Sequence, residues 1–215
     1  MPDPAQNDRR DAASGLQELA AHHQGTYLRP IRAMGTAVVA VSTLVTAGEL
    51  VGALTGFAYS SSAWRVYDTI TSLAWLALFI VTGIWLTRLR RNADQLAPWF
   101  HHQRAWGWAW AGWLVPIVSL WFPFQVVRDA VTASASADTT SVAAASRPPF
   151  GLWWATWLVS TILGNLALQV STVDTAADLR VVGGMSLLGS ICLVVSLWAW
   201  IKIVRTGSAL QSAAG

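Results

Sequence analysis

Charge is scarce in this chain. Asp, Glu, Lys and Arg make up 12% of its 215 residues, while 54% are hydrophobic. Soluble domains carry roughly 25% charged residues, so the balance argues against a water-soluble globular protein. Lysine is nearly missing, with Lys202 alone beside thirteen arginines. Cysteine is limited to Cys192, which excludes an intrachain disulfide and leaves the redox compartment unmarked. That thiol lies inside an apolar run and reads as a small apolar group. A cleavable signal peptide is not expected. The first apolar run follows a polar stretch, residues 1–28, and is too long for a signal core of about 7–15 residues. It reads as a retained anchor. No internal repeat suggests the inverted halves of a transporter.

What the chain has is apolar length. Runs occupy residues 33–57, 70–86, 106–124, 150–170 and 181–204. A helix needs about 20 apolar residues to cross a hydrocarbon core of about 30 Å. The first, fourth and fifth runs meet that, and the second is just long enough. Backbone groups cannot go unpaired in lipid, so the runs must be helical. Fourteen tryptophans are too many for a core of this size and suit the headgroup level of a membrane. The pI near 9.6 does not point to nucleic acid, because the arginines flank apolar runs instead of forming one basic face.

Two topologies compete, and cation placement separates them. If all five runs cross from a cytoplasmic N-terminus, nine cations lie inside and five outside. If the third run returns to the side it came from, twelve lie inside and only Arg65 and Arg180 outside. The third run also carries Gly107, Gly112, Pro116 and Pro123 around Trp121. A straight helix through both prolines is costly, and broken backbone at membrane depth must be buried in protein or line a wet cavity. The expected fold is therefore an all-α polytopic bundle of four transmembrane helices plus a proline-broken re-entrant or interfacial segment. Five transmembrane helices, one kinked, is the alternative.

The domain reading follows. Residues 1–28 form a disordered cytoplasmic tail, 29–206 the helical membrane domain, and 207–215 a small polar C-terminal tail. Trp85, followed by Arg88, Arg90 and Arg91, reads as an interfacial anchor, and 92–104 as a cytoplasmic connector. Residues 125–134 place Val126, Val127, Ala130 and Val131 opposite Arg128 and Asp129, which suits an amphipathic helix on the inner membrane surface. Residues 133–147 are rich in Ala, Ser and Thr and read as a linker.

Candidate chemistry is thin. Gly48, Gly52 and Gly56 recur every four residues, a small-residue face that lets helices approach closely. Glu49 is the acidic residue inside a span, and groups of that kind face a bundle interior or water. With Asn165 and Gln169, which extend a polar stripe from Thr161, it defines a candidate outer-leaflet ligand site for a cation, proton or small molecule. Interhelical hydrogen bonding is the simpler reading. His22-His23 and His101-His102 lack any metal-ligand pattern and read as solvated loop residues. Asp174 and Asp178 read as solubilising charges in an outer loop. The serines have no His or Asp partner for a nucleophilic triad, and Gly183-Gly184 is not a phosphate loop. Trp106, Trp108, Trp110 and Trp113 could cage a cation, with interface anchoring preferred. No metal site, no cofactor and no catalytic residue is expected.

Three stretches nevertheless carry a resemblance. Trp85 to Ala93 reads WLTRLRRNA, Gly107 to Asp129 reads GWAWAGWLVPIVSLWFPFQVVRD, and Trp153 to Ser160 reads WWATWLVS. Together they resemble an actinobacterial family of integral membrane proteins, the domain of unknown function four-three-two-eight, over most of residues 33–205. Ser119 stands where that pattern commonly has asparagine, and Phe124 where it has tyrosine. The arginine excess suits a GC-rich genome. The resemblance implies a multi-pass plasma-membrane protein and supplies no catalytic residues.

The functional expectation is a non-enzymatic assembly or interaction component of the plasma membrane. Its partners would be the lipid bilayer and a second copy or another membrane protein, meeting the glycine face and the tryptophan-rich segment, with no nucleic acid. The alternative is a small transporter or channel subunit using the polar site around Glu49.

Overall fold

A computed structural model describes residues 28–55, 61–137, 148–170 and 176–213. The described residues form six α-helices, one 3-10 turn and no strand. These are α1 (Arg32–Thr55), α2 (Ser61–Leu96), α3 (Trp108–Leu114), the 3-10 turn Val118–Leu120, α4 (Phe122–Ala137), α5 (Phe150–Val170) and α6 (Ala176–Ala213). Four of them, α1, α2, α5 and α6, contain stretches long and apolar enough to cross a membrane. The fold is a helical membrane bundle.

The third apolar run folds back on itself. The Gln103 N–H donates to Asp129 Oδ2 at 2.9 Å, and Arg104 Nε donates to Gln125 Oε1 at 2.9 Å. Chain entering the segment is thus bonded to chain leaving it. Proline sets the break. Val115, ahead of Pro116, is extended at φ −87° and ψ 113°, because a proline ring disfavours the helical region for its predecessor. Pro123 sits in the first turn of α4, where a missing N–H costs little. Ahead of Pro116 the chain folds as α3, and between the two prolines it makes one 3-10 turn. Its Trp110 reaches the Phe79 ring, with centroids 5.4 Å apart. Phe79 lies about 16 Å of helix before Arg90, at 1.5 Å per residue.

The four long helices form an open arc. α1 packs against α2 and α6, and α6 against α5, while α2 and α5 share no extensive contact. The glycine face of α1 serves this packing. A Cβ at Gly52 would run into the Tyr67 phenol, whose hydroxyl donates to the Gly48 carbonyl at 3.0 Å. Gly48 and Gly52 are therefore occupied by α2 of the same chain; Gly56 lies outside the described residues.

Two spans are much longer than their apolar runs. α2 covers 36 residues against the expected 70–86, and α6 covers 38 against 181–204. Their C-terminal ends and α4 make a three-helix core that the sequence reading did not anticipate. Val126, Val127 and Val131 of α4 pack with Leu86, Leu89, Val204 and Leu210, all at most 2% exposed. Each buried valine contributes about 1.5–3 kcal/mol relative to exposure. The amphipathic helix thus spends its apolar side on α2 and α6. Residues 207–213 continue α6, so the C-terminal tail begins later than expected, and 92–96 complete α2 instead of opening a connector. Of the linker 133–147, Ala133 and Ser134 are buried in α4, and 138–147 lie outside the described residues, as do 1–27.

Polar groups in this core are mutually satisfied. Asn92, 1% exposed, donates to the Arg29 carbonyl and to Gln211 Oε1, and accepts from the Arg29 N–H. Gln211 donates to the Leu89 carbonyl at 2.7 Å and to the Ser134 hydroxyl at 2.9 Å. One amide pair thereby joins the approach to α1 with α2, α4 and α6. Trp85 is buried here too, its indole donating to the Ser208 hydroxyl at 3.2 Å, so it is a core residue and not an interfacial anchor.

Candidate functional site, an indole-lined cavity

Tryptophan in this chain is as much a core residue as an interface residue. Trp85 meets Trp200 edge-on, Trp200 stacks on Trp153 with centroids 4.8 Å apart, and Trp154 stacks on Trp157 at 4.8 Å. Trp113 of α3 closes the series, perpendicular to Trp157 at 5.9 Å. The spacing of Trp153 and Trp157 puts both on one face of α5, one turn apart. Trp154 points to the broken segment and donates to the Leu120 carbonyl at 2.8 Å. Trp110 is held by Thr87, whose hydroxyl accepts its N–H at 3.0 Å, and lies over Gly83, where a Cβ would stand 2.5 Å from the ring. Trp108, Trp110 and Trp113 are thus packed within the protein, while Trp106 is exposed.

Inside the arc, beside the broken segment, lies a cavity of about 410 Å³. α1 supplies Ser42, Val45 and Thr46, and α2 supplies Trp75, Leu78, Phe79 and Thr82. α5 supplies Trp153, Trp157 and Thr161, and α6 supplies Leu193, Ser196, Leu197 and Trp200. Trp113 and Ser119 of the broken segment complete it. No charged side chain is among these residues. The volume falls within the roughly 300–1,000 Å³ of ordinary ligand pockets, which are likewise mostly apolar with a few polar groups.

The hydroxyls fall into two sets. Ser42, Ser119, Thr161 and Ser196 each donate to a main-chain carbonyl. Thr46 and Thr82, both 7% exposed, have no side-chain hydrogen bond among the described residues. Nor do the indole N–H groups of Trp153 and Trp200, 4% and 6% exposed. A buried indole N–H usually finds an acceptor.

Of the candidate residues, Glu49 lies one turn past Thr46 and half-buried; its Oε1 accepts the Trp75 N–H at 2.7 Å. Asn165 is exposed and donates to the Thr161 carbonyl of its own helix at 2.8 Å. Gln169 is exposed a turn further on. Within the stripe only Thr161 lines the cavity. Gly107 has open space around it, Gly112 abuts Phe122 and Pro123, and Pro116 and Trp121 lie at the segment's turn. The sequence reading missed Thr46, Thr82, Trp153 and Trp200. The four-residue recurrence of Ser42 with Thr46 and of Trp153 with Trp157 was the signal for two of them, and neither recurrence includes Thr82 or Trp200.

At the basic end, His102 is no solvated loop residue. Its side chain is 5% exposed, and Nε2 lies 3.0 Å from Asp94 Oδ1 without the alignment of a good hydrogen bond. Burial, and then the Arg90 charge, pull its pKa below the usual 6.5, against the opposing pull of Asp94 and Asp129. Among the described residues no three His, Cys, Asp or Glu side chains converge as metal ligands. Asp174 lies outside those residues.

Comparison with curated proteins and with solved structures gives no match in either. Comparison with family models matches the Domain of unknown function (DUF4328) over residues 56–209. The matched region takes in α2 through nearly all of α6, with the whole broken segment, so the chain belongs to the DUF4328 family.

Proposed function

We propose that this chain is a multi-pass protein of the plasma membrane, its N-terminus cytoplasmic, acting as a non-enzymatic interaction component that holds a molecule taken from the bilayer. The observation carrying this reading is the cavity: four long helices line it, a broken segment stoppers it, and its lining offers indoles and hydroxyls with no acid or base among them. Cation placement supports the orientation. Arg29, Arg32, Arg88, Arg90, Arg91, Arg104, Arg128, Lys202 and Arg205 gather toward one end of the bundle, against Arg65 and Arg180 at the other. The arginine excess fits an actinobacterial source. Exposed Leu44, Leu54, Ile162 and Leu168 suit contact with lipid, or with a second copy or another membrane protein. Gly48 and Gly52 would not supply that contact, since α2 covers them.

Native mass spectrometry of the full chain, released from mild detergent, tests the reading. The expected result is one bound small molecule per chain, lost when the cavity is filled by Ser42→Phe. A bare chain, or a bound mass indifferent to that substitution, would overturn it.

A second reading, a transporter or channel subunit, draws on one contact: Trp75 lines the cavity and also donates to Glu49. Glu49→Gln in proteoliposomes separates the two. A carrier should lose ion or substrate flux, whereas a binding component should keep its bound mass and show no flux to lose.

A further inference from the structure

We infer that the cavity selects an uncharged, lipid-soluble molecule bearing hydrogen-bond acceptors, such as ester or ketone oxygens on an apolar body. This rests on the binding reading above and names the chemistry of the occupant.

The absence of charge from the lining comes first. A headgroup phosphate would lose its hydration there with no cation to pair it, and an ammonium, which has no acceptor, would leave the indole N–H groups unpaired. The polar atoms without partners decide the rest. Trp153 and Trp200 are donors only, since an indole has no acceptor. Thr46 and Thr82 can donate as well as accept. Four buried side chains on α1, α2, α5 and α6 therefore offer N–H or O–H groups with no acceptor among the described residues. Among those residues, the side-chain N and O atoms both fully sealed and unpaired belong to His102 alone, so these four are not closed off. An acceptor placed among them recovers hydrogen bonds that a plain hydrocarbon leaves unmade.

Size and access agree. A cavity of about 410 Å³ is in the range of ordinary small-molecule pockets, enough for a quinone ring or the glycerol-ester part of a lipid whose chains stay in the bilayer. The gap between α2 and α5, which share no extensive contact, lets such a molecule come sideways from the bilayer.

The test is photolabelling of the full chain in maltoside detergent with a diazirine derivative of dioleoylglycerol, the modified peptides being mapped. Label is expected on peptides covering 153–161 and 193–200, reduced at least tenfold by excess dioleoylglycerol, decylubiquinone or both, and untouched by hexadecane at equal concentration. Whichever competitor acts tells an ester lipid from a quinone-type ketone. Thr46→Val with Thr82→Val should weaken labelling several-fold. If that double variant fails to fold, the wild-type competition series decides alone. Equal displacement by hexadecane would overturn acceptor selection while leaving the cavity a binding site. Label confined to the lipid-facing side of α1, together with a bare chain in native mass spectrometry, would overturn both.

Discussion

The indole of Trp154 donates to the main-chain carbonyl of Leu120 at 2.8 Å, joining the first turns of α5 to the point where the broken segment turns back. Trp154 also stacks on Trp157 and touches Trp113 edge-on at 6.2 Å. One residue therefore ties the stopper to the cavity wall. Trp154→Phe keeps an aromatic ring and removes the donor, leaving a carbonyl unpaired, which costs about 1–3 kcal/mol. Thermal unfolding in detergent should show a clear loss of stability, and trypsin should cut more readily after Arg104. Unchanged melting would mean the bond holds nothing.

Asn92 and Gln211 should behave as one unit. Each is buried, and their side chains bond one another at 2.9 Å. Either single alanine substitution leaves partners unsatisfied at about 1–3 kcal/mol. The double substitution should cost clearly less than the sum, with a coupling of about 0.5–3 kcal/mol in a double-mutant cycle. Simple additivity would contradict the shared network.

Acid should weaken the basic end through His102. Its folded pKa lies below 6.5, chiefly through burial and then Arg90, with Asp94 and Asp129 opposing. Above pH 6.5 neither folded nor unfolded His102 holds the proton, and its contribution is fully present. Below 6.5 the unfolded chain binds a proton that the folded chain resists, so stability falls until the lowered folded value is reached. Melting temperature across that window should decline in the wild type and flatten in His102→Gln.

Gly83 makes room for Trp110. A Cβ there would stand 2.5 Å from a ring already held by Thr87 and Phe79. Gly83→Ala forces the indole to move, and overpacking of this kind costs about 1–3 kcal/mol. The same substitution at Gly151, where a Cβ meets open space, should be close to neutral.

Much of the architecture was legible because lipid leaves the backbone few options. Apolar length fixed four spans, and Pro116 with Pro123 in a run flanked by arginines showed that 106–124 breaks. Partnership between helices was less visible. Arg88, Arg90 and Arg91 look like the end of a span, and nothing local reveals that α2 continues to Leu96 against α4. Gln211 lies in a small polar stretch whose burial depends on Asn92, far away in the chain. Indoles gave the most misleading signal. A tryptophan suits a headgroup layer and a protein core equally, and only the neighbours of Trp85, Trp153 and Trp200 decide for the core. Glu49 was legible as a carboxyl needing a partner, but Trp75, its actual partner, carries no pattern that marks it.

The central claim is that the chain crosses four times and that the Trp106–Phe124 stretch comes back to the side it left. Cysteine accessibility tests it most directly. Cys192 is replaced by alanine, single cysteines are placed at Ser62 and Ser136, both exposed, and intact cells are treated with an impermeant maleimide. Labelling at Ser62 and not at Ser136 is the expected result. Labelling at both would put the two sites on one side, requiring a fifth crossing, and would contradict the account.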